Sequence, residues 1–406
     1  MKGSACGTII GMARHVMIID LSNDSVSGLL LDPTYDTQKK IFCSPTRAVT
    51  RVPLPFQSEL NLERFLNQVV AALKTVIDAL TRDETSRPAQ VVCFLSAPFY
   101  ASQTRVVRHT ADQPFRITAS FLNGLIAADL AQFTKQQPQL YTEVLADAHR
   151  VIESKTMQVK LNRYPTHTPA DKQASEVEMY HYVSIGSERI LGRFHEVIRG
   201  FVHHAPIEFH SFPFALFSIY RDYFHDRRYR FLVDVGAELT EVLLMAEDIL
   251  WESVSFPAGY NGLIRELTRE LGTVPEEAMS AFRLYRRSGE NKLATAKMAS
   301  ALTSFQKIWV GYFRQMLETL SEEHLVPLEI LAIGDPLVTP LLLDWLKEDK
   351  YNEILVGNRP FNPTLLSAAT LAGQCGLPGT FPIAGNEHLL VGSVFYDKLL
   401  SVNQHG

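Results

Sequence analysis

Two aspartates in this chain close apolar runs in the way a phosphate-binding hairpin would. In "FLVDVGAELTEVLL" the run ends at Asp234 and turns at Gly236; in "VMIIDLSNDSVSGLLL" it ends at Asp20 and turns through Ser22, Asn23 and Asp24. Backbone N–H groups approach a phosphate closely only where side chains are small, so such turns favour glycine, with Ser or Thr hydroxyls as added donors. Glu238 and Leu239 contradict that chemistry, standing where the second turn would take small residues. The stretch therefore raises a choice between a nucleotide site and the backbone plan of one.

The elements that would position these turns can be read from hydrophobic periodicity. Residues 16–32 form a hairpin, with Ser22-Asn23-Asp24 supplying the turn. "LERFLNQVVAALKTVIDAL" carries apolar residues at helical spacing, and "VVCFLSAP" is a buried strand. From about 104 to 201 the texture changes to strand-like pieces around the polar stretch "NRYPTHTPADKQASE", which predicts a small α+β module inserted into a larger fold. "FPFALFSIYRDYF" resumes a buried helix. After the second hairpin come a long helical region and then "LEILAIGDPLVTPLLLDWLKE", read as strand, turn and helix with Pro336 and Pro340 near the helix start. Both halves open on a strand ending in Asp and continue into helices, the mark of a duplicated α/β fold with a cleft between its halves.

Composition bounds the function. A chain of 406 residues, 46% hydrophobic, can bury a large core and suggests two or three domains. A net charge of −5 leaves no electrostatic footprint for nucleic acid, and the basic runs "HDRRYR" and "FRLYRRSG" read as solvated faces. Four cysteines (Cys6, Cys43, Cys93, Cys375) without C-x-x-C spacing argue against a disulfide framework or a zinc site. "HHAPIEFH" reads as a surface or core-edge segment, and Ser96 lacks the G-x-S-x-G elbow of a hydrolase. No signal-peptide core and no long apolar run is present, so a cytoplasmic protein with no direct membrane span is expected. The C-terminal stripe of Val391, Phe395, Leu399 and Val402 has only Lys398 as a basic neighbour, which favours a packed helix over a membrane anchor.

In element order the chain resembles the FtsA/PilM-like branch of the actin/Hsp70 superfamily. "HVMIIDLSNDSVSGLLL" is similar to that family's first phosphate hairpin, "FLVDVGAELTEVLL" to its second and "ILAIGDPLVTPLL" to its adenosine turn. "AFRLYRRSG" stands at its A-E-x-L-K-x-x-x-G helix and "RPFNPTLLSAATLAGQ" at its last packed helix. The resemblance implies a duplicated actin-like (ribonuclease H-like) α/β fold. The first half would span 1–103, the inserted subdomain 104–201 and a return helix 202–230. The second half would span 231–406, with a helical subdomain at about 260–327. It makes Asp20, Ser22, Asn23, Ser25, Asp234, Gly236, Thr240, Gly334 and Asp335 the cofactor-binding candidates, with Asp20 and Asp234 at the metal. ATP and Mg2+ are the implied cofactors.

Departures from the pattern put that binding in doubt. Ser22 and Ser27 replace a Gly and a Lys, Glu238-Leu239-Thr240-Glu241 replaces Gly-Thr-Thr-Asp, Asp335 replaces a Gly, and Phe282 and Tyr285 replace a Glu and a Lys. Glu238 and Asp335 would add negative charge beside a triphosphate. Like charges about 4 Å apart repel by about 1 kcal/mol in water and about 4 at an effective dielectric near 20. The expectation is a degenerate ATPase, not an efficient enzyme. It would act as a scaffold at the cytoplasmic membrane face in cell division or type IV pilus assembly, with weak or lost ATP binding. Its expected partners are a division filament protein or a bitopic pilus protein, reached through the inserted subdomain, with self-association also expected. The alternatives are a functional actin-like ATPase and, behind it, a sugar-kinase-like phosphotransferase, for which the sequence singles out no general-base Asp.

Overall fold

The computed structural model describes residues 9–11, 15–36, 41–83, 87–136, 148–224, 229–288, 292–347, 351, 354–355, 359–377 and 386–405. Cys6 and part of the basic run "HDRRYR" lie outside them. The chain begins with β1 (Ile9–Gly11), β2 (Val16–Leu21), β3 (Ser25–Leu31), β4 (Thr34–Asp36), β5 (Ile41–Phe42) and β6 (Thr46–Pro53). Then come α1 (Leu62–Thr81), β7 (Gln90–Leu95), β8 (Ala101–Arg116), α2 (Ala119–Gln136), β9 (His149–Leu161), β10 (Tyr164–Thr166) and β11 (Gln173–Ser187). α3 (Glu188–Phe201), β12 (Ile207–Ser211) and α4 (Phe212–Tyr223) lead to β13 (Arg230–Val235), β14 (Thr240–Ala246) and β15 (Ile249–Phe256). The helices α5 (Tyr260–Leu271), α6 (Pro275–Ser288) and α7 (Lys292–Ser321) precede β16 (Glu329–Gly334), α8 (Thr339–Leu346) and β17 (Asn362–Leu365), and α9 (Ala368–Gln374) and α10 (Glu387–His405) close the chain.

Two five-stranded sheets repeat one connectivity. The first has the order β12-β7-β2-β3-β6 and the second β15-β14-β13-β16-β17. In each, a hairpin (β2–β3, β13–β14) is extended by an antiparallel third strand, and the hairpin's first strand pairs in parallel with β7 or β16. Asp20 and Asp234 are the fifth residues of equivalent strands, paired with Ser27 and Glu241 respectively.

Strand parity decides which way these aspartates face. Met17, Ile19 and Leu21 pack outward against α1 and α3, and Phe231, Val233 and Val235 pack outward against the helices of the second half. Alternate residues take the other face. Val16, Ile18, Leu232 and Ile333 share one core with Phe217 of α4 and Leu390 and Phe395 of α10. Asp20 follows Ile18 and Asp234 follows Leu232 on that inner side, so both reach the gap between the sheets. α10 is thus a core helix, as expected, although Val402 at its end is 60% exposed.

The segment between β7 and β12 carries a four-stranded sheet, β10-β9-β11-β8, with its own small core where Leu122 of α2 meets Val107, Val159 and Met179. α3, which the sequence reading assigns to this insert, instead buries Ile190, Leu191, Phe194 and Ile198 in the core of α1. At the seam, buried Glu153 of β9 accepts hydrogen bonds from Ser184 (2.8 Å) and Ser211 and pairs with His210 Nδ1 at 3.2 Å. The "HHAPIEFH" segment therefore ends in a buried ion pair, while His203 and His204 are exposed.

Burial opposes charge on His210, but its bonds to Glu153 and Glu208 prevail and push it up to about 9. A raised histidine pKa means that the stabilisation is complete below about 6.5 and lost as pH rises through about 9. The shift corresponds to at most about 3 kcal/mol. Melting the wild type and His210→Gln across that window should show a steeper alkaline loss in the wild type. Parallel curves would contradict a charged His210. Glu241, pushed up to about 8 by burial, adds to the loss in both proteins, so the difference is the measure.

Candidate functional site

The gap between the halves is a small acidic cavity of about 90 Å³, lined by residues of both hairpins, the β16–α8 turn and the start of α10. Eight of the nine expected cofactor residues line it: Asp20, Ser22, Asn23, Ser25, Asp234, Gly236, Gly334 and Asp335. Thr240 does not, and its assignment is corrected. It is fully buried, donates to Ala258 O at 2.6 Å and accepts from Trp309 Nε1 at 3.1 Å, so it binds α7 to the second sheet.

The polar groups of the first hairpin are largely spent on one another. Ser22 Oγ donates to Asp20 Oδ2 at 2.6 Å and Ser25 Oγ to Asp24 Oδ1 at 2.9 Å, while Arg51 of β6 pairs with Asp24 at 2.6 Å. Asn23 reaches across the gap. Its Oδ1 accepts from Ala237 N (2.6 Å) and Glu238 N (3.2 Å), and its Nδ2 donates to Ala97 O at 3.0 Å. Gly236 has no Cβ because the Asn23 amide lies against it; a Cβ there would sit 2.6 Å from Asn23 Nδ2. Gly334, at φ 142°, faces Val235 O and Thr339 Oγ1 with the same tightness.

The two residues expected to repel a triphosphate do something else. Glu238 turns to Arg265 of α5, whose Nη2 lies 2.8 Å from both carboxylate oxygens, and Asn261 donates to it as well. Asp335 caps its own turn, accepting from Leu337 N and Val338 N at 2.9 Å. Neither projects a free charge at the hairpins. Phe282 is no lost ligand either but a buried core residue of α6, with Tyr285 packed beside it.

Besides Arg51, the site holds a second cation, His388, in the first turn of α10. Its Nε2 lies 2.9 Å from Asp234 Oδ2. Burial works against its charge, but Asp234 and Asp20 outweigh that and push it up to about 10. Asp20 is pushed up to about 6 by burial, with His388 and Ser22 pulling it back. His388, Asp24 and Arg51 were not legible as site residues. His388 is one histidine at a helix start, more than 150 residues from Asp234, with no local motif around it.

These contacts test the implied cofactors. Small-ligand pockets run from about 300 to 1,000 Å³, well above this cavity, and the N–H groups of Ala237 and Glu238 already have an acceptor. A nucleoside triphosphate does not fit the cleft as it stands. For a metal the case is divided: Asp20 Oδ1, Asp234 Oδ1 and Ser96 Oγ are buried without protein partners, yet the His388 imidazolium already supplies positive charge beside them.

No family model and no curated protein sequence matches the chain. Among solved structures, the PilM–PilN type IV pilus biogenesis complex aligns over 94% of this chain and 98% of the other, with a TM-score of 0.61 at 14% identity. A protein of Bacteroides thetaiotaomicron described as having an actin-like ATPase fold aligns over 87% and 91%, with a TM-score of 0.40 at 10% identity. The fold is actin-like. An MreB of Spiroplasma citri bound to AMPPNP aligns over 97% and 99%, with a TM-score of 0.41 at 7% identity. The actin-like fold places the cavity between its duplicated halves, where the two hairpins and the β16–α8 turn converge. No helix among the described residues is long and apolar enough to cross a membrane.

Proposed function

We propose that the chain is an actin-like scaffold that works at the cytoplasmic face of a membrane, joining a type IV pilus platform by holding the cytoplasmic tail of a bitopic partner, with ATP binding weak or lost. The observation that carries this reading is the contrast between its two concavities. The inter-half cavity is small and internally bonded, whereas a groove of about 640 Å³ opens on the inserted sheet. Leu122, Ile126, Met157 and Met179 give that groove apolar, adaptable walls, and Glu247 and Asp248 of the β14–β15 turn add acidic ones. Cytoplasmic tails beside membrane spans carry an excess of Lys and Arg, so an apolar segment with basic neighbours matches this lining. The likeness to PilM in its complex with PilN supports the choice of a pilus partner over a division filament.

A photo-crosslinking residue at Met157, in cells, is the test. The expected adduct is the tail of a single-span membrane protein, weakened by Glu247→Gln with Asp248→Asn. An adduct with a tubulin-like filament protein would replace the pilus role by a division role, and no adduct at normal expression would remove the groove as the docking site. Mg-ATP at millimolar concentration should leave the melting curve unchanged. Ligand at about 100 times its Kd would stabilise by roughly 2.7 kcal/mol, and such a shift would favour the ATPase reading.

A further inference from the structure

We propose that the inter-half cleft is self-occupied: the Asn23 carboxamide takes the backbone donors of the second hairpin, and Arg265 ties the halves together beside it, so that the chain's own side chains hold the cleft closed where a nucleotide otherwise would. This rests on the reading of weak or lost ATP binding and goes beyond it. It gives the scaffold a single closed state in place of a ligand-driven opening cycle.

The geometry makes Asn23 an internal ligand. Consecutive backbone N–H groups in a turn form an anion-binding concavity, and in the β13–β14 turn two of them, of Ala237 and Glu238, converge on one atom, Asn23 Oδ1. That oxygen comes from the other half of the molecule, 214 residues away in the chain, and the same amide anchors itself at Ala97 O. A phosphate entering the turn would have to expel a buried side chain satisfied on both its oxygen and its nitrogen. Leaving such groups unpaired is expensive.

Arg265 forms the second tie. It engages both oxygens of Glu238 and, in the other half, Gln57 O at 2.9 Å and Ser58 O at 3.2 Å, with its guanidinium 5.5 Å from the centre of the Phe56 ring. The Glu that seemed to exclude a triphosphate by charge is thus part of a bridge to the first half. Because two of its acceptors in the first half are backbone carbonyls, a rotamer change of Glu238 alone would not release that half.

Hydrogen exchange on the full-length protein, read by mass spectrometry, tests the proposal. In Asn23→Ala, peptides containing Ala237 and Glu238 should exchange about tenfold faster, the factor equivalent to about 1.4 kcal/mol. Arg265→Ala, at a partly exposed position that threatens the fold less, should speed exchange across residues 57–58 and 237–241. Peptides of β8–β11 should be unchanged in both variants, which shows that the fold is kept. The wild type should show no added protection with Mg-AMPPNP. Unchanged exchange in both variants without a response to nucleotide would overturn the clasp alone. Protection of the wild-type cleft by Mg-AMPPNP would overturn the clasp and the weak-nucleotide reading together.

Discussion

Replacing His388 with alanine is expected to lower the unfolding free energy by roughly 3–5 kcal/mol, the usual cost of removing one partner from a buried ion pair. Asp20 and Asp234 are both buried, and the imidazolium touches Asp234 and acts on Asp20 through its charge alone. A positive charge in the first turn of a helix is opposed by the helix dipole, so the carboxylates must supply more than that loss. Without His388, Asp20 and Asp234 are left to repel one another in a desolvated gap, and Asp20, already raised to about 6, rises further. A carboxyl whose folded pKa is raised favours the folded state at low pH and costs stability as pH rises through that value. The part of the His388→Ala deficit that comes from Asp20 should therefore shrink as pH falls from the variant's higher value and be gone below about 6, where Asp20 is protonated in both proteins. Urea denaturation of wild type and variant near neutral pH and in mild acid provides the measurement. A neutral-pH deficit below about 1 kcal/mol would mean that the ion pair contributes little, as exposed pairs do.

Phe282→Glu, which places there the residue of the motif that this helix resembles, should prevent the second half from folding. Phe282 is 0% exposed and shares its core with Ala278, Met298, Ala301 and Phe305. Truncating a buried Phe to Ala costs about 3–5 kcal/mol, and a carboxylate here would add an unpaired buried charge. Trp309 and Trp345 belong to the same core, so near-ultraviolet circular dichroism reports on it directly. Loss of that signal and of soluble expression in Phe282→Glu is expected, with Phe282→Leu retaining both. A Phe282→Glu protein that melts within a few degrees of wild type would show that this position tolerates charge and that the helix can turn it towards solvent.

Of the two residues, Phe282 has a role that differs from its sequence reading, while His388 has no sequence reading at all. Phe282 reads as a missing contact when the pattern is followed along the helix, whereas its burial comes from the core that α5, α6 and α7 build together, with α6 and α7 both packed on α5. Glu238 looked like a repelling charge because its partner, Arg265, is on another element. Thr240 has the hydroxyl that a phosphate turn would use, but strand parity aims it at Trp309 and away from the cavity. In each case the residue type was compatible with two partners, and packing chose between them.

What the sequence by itself determined is the repeated local plan: apolar strands ending in Asp20 and Asp234, tight turns after them, and the helices that follow. Such features depend on side-chain alternation and turn chemistry within a few residues, so they can be read before any tertiary contact exists. Only the tertiary structure decided that the cleft is occupied from within. Asn23 meets Ala237, Arg265 meets Gln57, and His388 meets Asp234 across sequence separations of 214, 208 and 154 residues. Those meetings depend on how two sheets and a returning C-terminal helix pack, a long-range property that no local pattern records.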